Sequence, residues 1–148
     1  MTQEDKELLF KDLSARLPYG VKIHINCPIE EQNSMELFDV NLDSEHIGVG
    51  NEKWAFRAIP IIDDEDETKV VKPYLRSMSS MTEEEIREFT SLVFISDSTS
   101  YGYLKECILF ALYSAKALDW LNAHYFDYRD LIGKGLAIEA PEGMYGKF

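Results

Sequence analysis

The hydrophobic period of this chain changes along its length, and that change constrains the fold more than any other feature. From Val21 to Leu75 apolar residues recur at every second position, in short runs separated by turn residues. Before and after that stretch they recur at three- and four-residue spacing. A period of two marks a half-buried strand, and a period of 3.6 marks a helix laid on a core. Strands joined by short turns pair antiparallel, because a parallel pair needs a long crossover. The order helix, strand meander, helices therefore predicts a single α+β domain. Its expected architecture is an antiparallel sheet of about 4–6 strands packed on a long helix from the C-terminal half and on an N-terminal helix.

The opening helix runs from Thr2 to Leu17, with Thr2 as its cap, Asp5 three positions on, and Leu9, Phe10, Leu13 and Leu17 as one apolar stripe. Pro18 and Gly20 end it. The strands are read as Val21–Asn26, Met35–Leu42, His46–Gly50, Trp54–Ile62 and Val70–Leu75. In the second, Phe38, Val40 and Leu42 share a face. Pro60 and Pro73 offer no N–H and argue for an edge, a bulge or a break at those points. Thr82 and Glu85 form a capping box for a short helix with Ile86, Phe89 and Leu92 or Val93 inward. A long apolar helix, about Tyr101–His124, is expected to be the central core element, with Leu104, Ile108, Ala111, Leu112, Ala115, Leu118 and Leu121 in register. Asp127 caps one further turn through Ile132, which Gly133 and Gly135 stop. Leu136–Glu139 reads as a last strand and Pro141–Phe148 as a tail. At 148 residues one domain suffices, with the helix and meander in 1–76 and the helical half in 77–148.

The chain carries 27 acidic and 15 basic side chains, a net charge of −12. Direct nucleic-acid binding is not expected of such a surface, because phosphates are neutralised by Lys and Arg. No apolar run reaches the roughly 18 residues of a membrane span. The N-terminus lacks a basic region followed by an apolar one, and the two cysteines, Cys27 and Cys107, read as reduced thiols. These features predict a cytoplasmic location. The run Asp63–Glu67 reads as a solvated acidic loop, because it lacks the oxygen spacing, central Gly and closing Glu of a calcium loop.

No strong chemical motif emerges, so no catalytic residue, metal or cofactor is assigned. His24 and Cys27 have H-x-x-C spacing, and His46 can be placed on a neighbouring strand, but a zinc site needs four ligands or three and water. Ser98, Ser100, His124 and Asp127 make a triad only on paper, with no G-x-S-x-G elbow. Gly48-Val49-Gly50 lacks the third glycine and the helix of a dinucleotide loop. The densest feature is aromatic: Trp120, His124, Tyr125, Tyr128 and Arg129. Aromatics beside an arginine are typical of binding hot spots, which makes these five the candidate partner-binding residues.

Three stretches carry a resemblance: LPYGVKI (Leu17–Ile23), PYLRSMSSMTEEE (Pro73–Glu85) and WLNAHYFDYRDLIGKGLAIEAPEGMY (Trp120–Tyr145). They resemble a family of small uncharacterised proteins from gut Bacteroidales-type bacteria and their phages and mobile elements. This chain has Ser77 where that family often has Pro, and Asp130 where it often has Gly. The resemblance implies an accessory protein and transfers no residue role.

Three functions follow as expectations. The first is a non-catalytic accessory or regulatory module that binds a protein partner. The second is a small hydrolase-like enzyme using His124, Asp127 and Asp130. The third is an acidic decoy that imitates DNA. Oligomeric state has no signature in the sequence.

Overall fold

A computed structural model of the chain describes residues 1–25, 34–58, 71–93 and 114–146. Helix α1 (Gln3–Arg16) opens with the expected Thr2 cap, which Asp5 completes as a capping box: the Asp5 N–H donates to Thr2 Oγ1 at 3.1 Å, and the Thr2 N–H to the Asp5 carboxylate at 3.3 Å. A single 3-10 turn (Leu17–Tyr19) follows, and Gly20, at a φ of 66°, reverses the chain. A side chain at Gly20 would be strained and would collide with the Glu36 carboxylate.

The strands are β1 (Lys22–Ile25), β2 (Ser34–Asn41), β3 (His46–Gly50), β4 (Ala55–Ala58) and β5 (Val71–Leu75), then β6 (Ile138–Glu139) near the end of the chain. They form one sheet in the order β4-β3-β2-β1-β5-β6. Every neighbouring pair is antiparallel except β5 and β6, which run parallel, so the sheet is mixed rather than wholly antiparallel. That parallel pair has the long helical connection such pairs require.

The core lies on one face of the sheet. Leu9, Phe10 and Leu13 of α1 pack on Val21, Ile23, Met35, Leu37, Ile47, Val49 and Leu75, with Leu131 and Leu136 closing the edge. Each such side chain contributes about 1.5–3 kcal/mol when fully buried.

Four expectations about packing are corrected. In β2 the shared face of Phe38, Val40 and Leu42 is split. Leu37 pairs with Val49 and Val40 with Ile47, so Phe38 is the extra residue of a β-bulge. Phe38 turns to the outer face and is 57% exposed, while Leu42, 64% exposed, lies on the α1 side beside Phe10 and Lys11. Gly48 stands beneath the Phe38 ring, where a Cβ would have no room.

Pro73 does not break β5. It pairs with Ile23 in the middle of the sheet, and β6 begins only at Tyr74.

The expected long helix is described over residues 114–123, here α3, while 101–113 lie outside the described residues. Within α3 the inward residues are Ala117, Trp120 and Leu121, and Leu118 is 44% exposed. The described part of α3 is therefore not the central core element. With α2 (Glu83–Val93) it builds a second, smaller cluster of Trp120, Leu121 and Phe126 against Phe89 and Leu92. Ile86, expected inward, is half exposed.

The fourth correction concerns the tail. Residues 141–146 are anchored through Tyr145, whose hydroxyl accepts from the Lys22 N–H at 2.9 Å and donates to the Tyr74 carbonyl at 2.7 Å. No helix among the described residues is long and apolar enough to cross a membrane.

Candidate functional site

The segment from Trp120 to Ile132 joins the two clusters, and its geometry starts at the end of α3. The Phe126 N–H donates to the Leu121 carbonyl at 3.0 Å and the Tyr125 N–H to the Asn122 carbonyl at 3.1 Å. This is a Schellman stop, in which the reversing residue takes a left-handed conformation and is usually glycine. Here it is Tyr125, with a φ of 63°. A side chain in that region costs roughly 1–2 kcal/mol. Two contacts offset the cost: the Tyr125 hydroxyl donates to the Tyr19 carbonyl at 2.6 Å, and its ring stacks on Tyr145 with centroids 3.7 Å apart.

The reversal sets Phe126 beside Arg76, the residue after β5. The Arg76 N–H donates to the Tyr125 carbonyl and the Asp127 N–H to the Arg76 carbonyl, both at 2.8 Å. The Arg76 guanidinium lies 4.2 Å from the Phe126 ring centroid. It also forks onto the Glu85 carboxylate with two 2.8 Å bonds. Glu85 is at the same time the third residue of the expected capping box, with its N–H on Thr82 Oγ1 and one oxygen on the Thr82 N–H. The Arg76 hydrogen bonds hold its carboxyl down to about 2, against the opposing effect of burial, with Thr82 adding to the shift.

The residues singled out for chemistry are engaged in this scaffold. His124 stacks on Trp120 at 4.0 Å, and its Nδ1–H donates to the Trp120 carbonyl at 2.8 Å. Both oxygens of Asp127 accept backbone N–H groups, from Leu131 and Ile132, at 2.8 Å. The turn that Asp127 opens closes at Gly135, as expected, with a φ of 74°. Asp130 has a φ of 59° and folds its carboxylate over Gly133.

Of the five candidate partner-binding residues, Trp120 is buried, and His124, Tyr125, Tyr128 and Arg129 are half-buried. Trp120 stacks on Phe126, His124 stacks on Trp120, and Tyr128 packs on the same cluster. Tyr128 and Arg129 extend this group toward α1. Arg129 Nε lies 3.3 Å from the Asp12 carboxylate, and Arg129 Nη2 donates to the Tyr128 hydroxyl at 3.3 Å. Asp12 and Arg16 are fully buried and joined by bonds of 2.7 and 3.1 Å. Arg16 also donates to the Phe126 carbonyl at 2.7 Å.

Reading for motifs missed this charged cluster, although a signal was present. Arg16 falls seven positions after Leu9 and three after Leu13, on the apolar stripe itself, with Asp12 one turn before it. An arginine on that stripe must be buried, and a buried charge needs a partner.

The histidine cluster considered for metal is not assembled. His24 pairs with Ser34 and His46 with Asn41, at opposite ends of β2, with that strand between them. His24 bonds instead to the Tyr74 hydroxyl at 2.9 Å on the outer face. Burial lowers its pKa and Lys72 adds to the effect. Cys27, Cys107, Ser98, Ser100 and the run Asp63–Glu67 lie outside the described residues. Among the described residues no group of three or more His, Cys, Asp or Glu is arranged to hold a metal ion. Three surface hollows of about 410, 440 and 580 Å³ lie elsewhere, lined by no residue from 120 to 129.

The chain matches no family model, and no curated protein or solved structure is detectably similar to it.

Proposed function

We propose that this chain is a non-catalytic accessory or regulatory module of a bacterial or phage mobile element, and that it acts by binding another protein. One observation carries the reading: the Tyr128–Arg129 pair is partly accessible, while the carboxylates beside it, Asp127 and Asp12, are committed to internal bonds. Both oxygens of Asp127 serve backbone amides. A general base must reach the proton it abstracts, and a carboxylate holding two amides is kept from that task. The aromatic–guanidinium pair Tyr128 and Arg129 stays partly accessible, and such pairs anchor interfaces.

The test is capture from an extract of the source organism by the immobilised full-length chain. Binding should saturate, and Arg129→Ala and Tyr128→Ala should each abolish it while leaving the circular dichroism spectrum intact. Capture lost with Phe38→Ala, and unaffected by the other two, would move the surface to the outer face of the sheet. A folded chain that retains nothing specifically would sink the binding reading.

A further inference from the structure

The cluster of Asp12, Arg16, Tyr128 and Arg129 holds two guanidinium groups and a single carboxylate. Arg16 alone neutralises Asp12, through the two bonds of 2.7 and 3.1 Å. Arg129 reaches the same carboxylate at 3.3 Å, so its charge is surplus. Among the described residues Arg16 Nη1 has no acceptor, and Arg129 Nε approaches the Asp12 carboxylate at 3.3 Å without making a hydrogen bond to it. A buried donor without an acceptor costs about 1–3 kcal/mol, more when charged, and such groups call for an oxygen partner.

Arg129 is also the reachable member, with its side chain 21% exposed beside a fully buried Asp12. Its fork is braced before any ligand arrives. The two guanidinium carbons lie 5.3 and 5.0 Å from the centroid of the one Tyr128 ring. The Tyr128 hydroxyl accepts from Arg129 and donates to Asn122 Oδ1 at 2.8 Å. A fork held in place loses little freedom on binding, and guanidinium matches carboxylate and phosphate oxygens in pairs.

We propose that Arg129, braced by Tyr128 and by the Asp12–Arg16 pair, is a receiving site for one oxyanion, a carboxylate or phosphoryl group. The overall charge of −12 limits the ligand to a compact group, because an extended polyanion meets repulsion from the rest of the surface. This names the chemistry of the contact surface proposed above and rests on that reading only for the partner that carries the group.

The experiment uses the ¹⁵N-labelled full-length chain and follows the arginine Nε–H resonances by NMR. Sodium acetate and inorganic phosphate are titrated separately, each against chloride at constant ionic strength. The Arg129 signal should shift and saturate in the millimolar range with at least one of them, while the exposed Arg87 does not saturate. Acetate alone would identify a carboxylate source, phosphate alone a phosphoryl source, and both would leave the oxyanion general. Arg129→Lys keeps the charge and removes the fork, and should weaken binding about tenfold. Tyr128→Phe keeps the ring and removes the brace, with a smaller loss. The site is overturned if neither anion saturates, if Arg87 responds alike, or if Arg129→Lys binds as well as the parent. Anion binding does not depend on capture of a partner, so loss of one without the other separates the two proposals.

Discussion

Glu85 performs two tasks with one carboxylate, capping α2 and holding Arg76, and its titration should be visible in stability. Its folded value of about 2 lies below the ordinary 4.5. The sign follows from linkage: the unfolded chain binds the proton more tightly, so the contribution is complete above pH 4.5 and is lost as pH falls toward 2. The shift corresponds to at most about 3 kcal/mol. Urea denaturation between pH 6 and 2.5 should show that loss, and Glu85→Gln should flatten it. Backbone angles make a second residue prediction. Ser77 has a φ of −62°, close to the value proline imposes, so Ser77→Pro should raise stability by about 0.4–1 kcal/mol in a thermal melt. Asp130 sits at a φ of 59°, where glycine is at ease.

The strands and caps were largely legible because their signals are local. The alternation of β1, the boundaries of β3 and both capping boxes need only the residues involved. What the sequence pattern concealed depends on distant pairing. The bulge at Phe38 is invisible in the alternation of β2, since only its register with β3 decides which residue is extra. Pro73 reads as a break because its lack of an N–H is local, while β6, the strand that would call on that N–H, begins only at Tyr74. Ile23 pairs with Pro73, so Lys22 and Tyr74 stand next in that register, and the Tyr145 hydroxyl spans their N–H and carbonyl. Tyr145→Phe should keep the stack on Tyr125 and lose both bonds, at a cost of about 1–3 kcal/mol. Hydrogen exchange at the Lys22 amide should accelerate in that variant, and an unchanged rate would show that the bridge is dispensable. The candidate site was half legible. The aromatic density of 120–129 was visible, whereas its union with Asp12 and Arg16 across the chain was not.

The described residues form two packing clusters, and Phe126 is the point at which they meet. Arg16 reaches it from α1 and Arg76 from the end of β5. This double hold predicts one cooperative unfolding transition despite the division of the core. Trp120→Ala, in the smaller cluster, should cost about 3–5 kcal/mol and lower the melting point recorded by every probe together. Separate near- and far-ultraviolet transitions would mean that the clusters melt independently. Folding order is shaped by the Tyr145 bridge, which ties residues 123 and 71 positions apart. A ribosome delivers Lys22 and Tyr74 long before Tyr145, so a nascent chain carries an unfinished seam in its central strands until Tyr145 emerges. Chains cut short of Tyr145 would leave that seam open, with a backbone donor and acceptor ready to pair with a neighbouring copy.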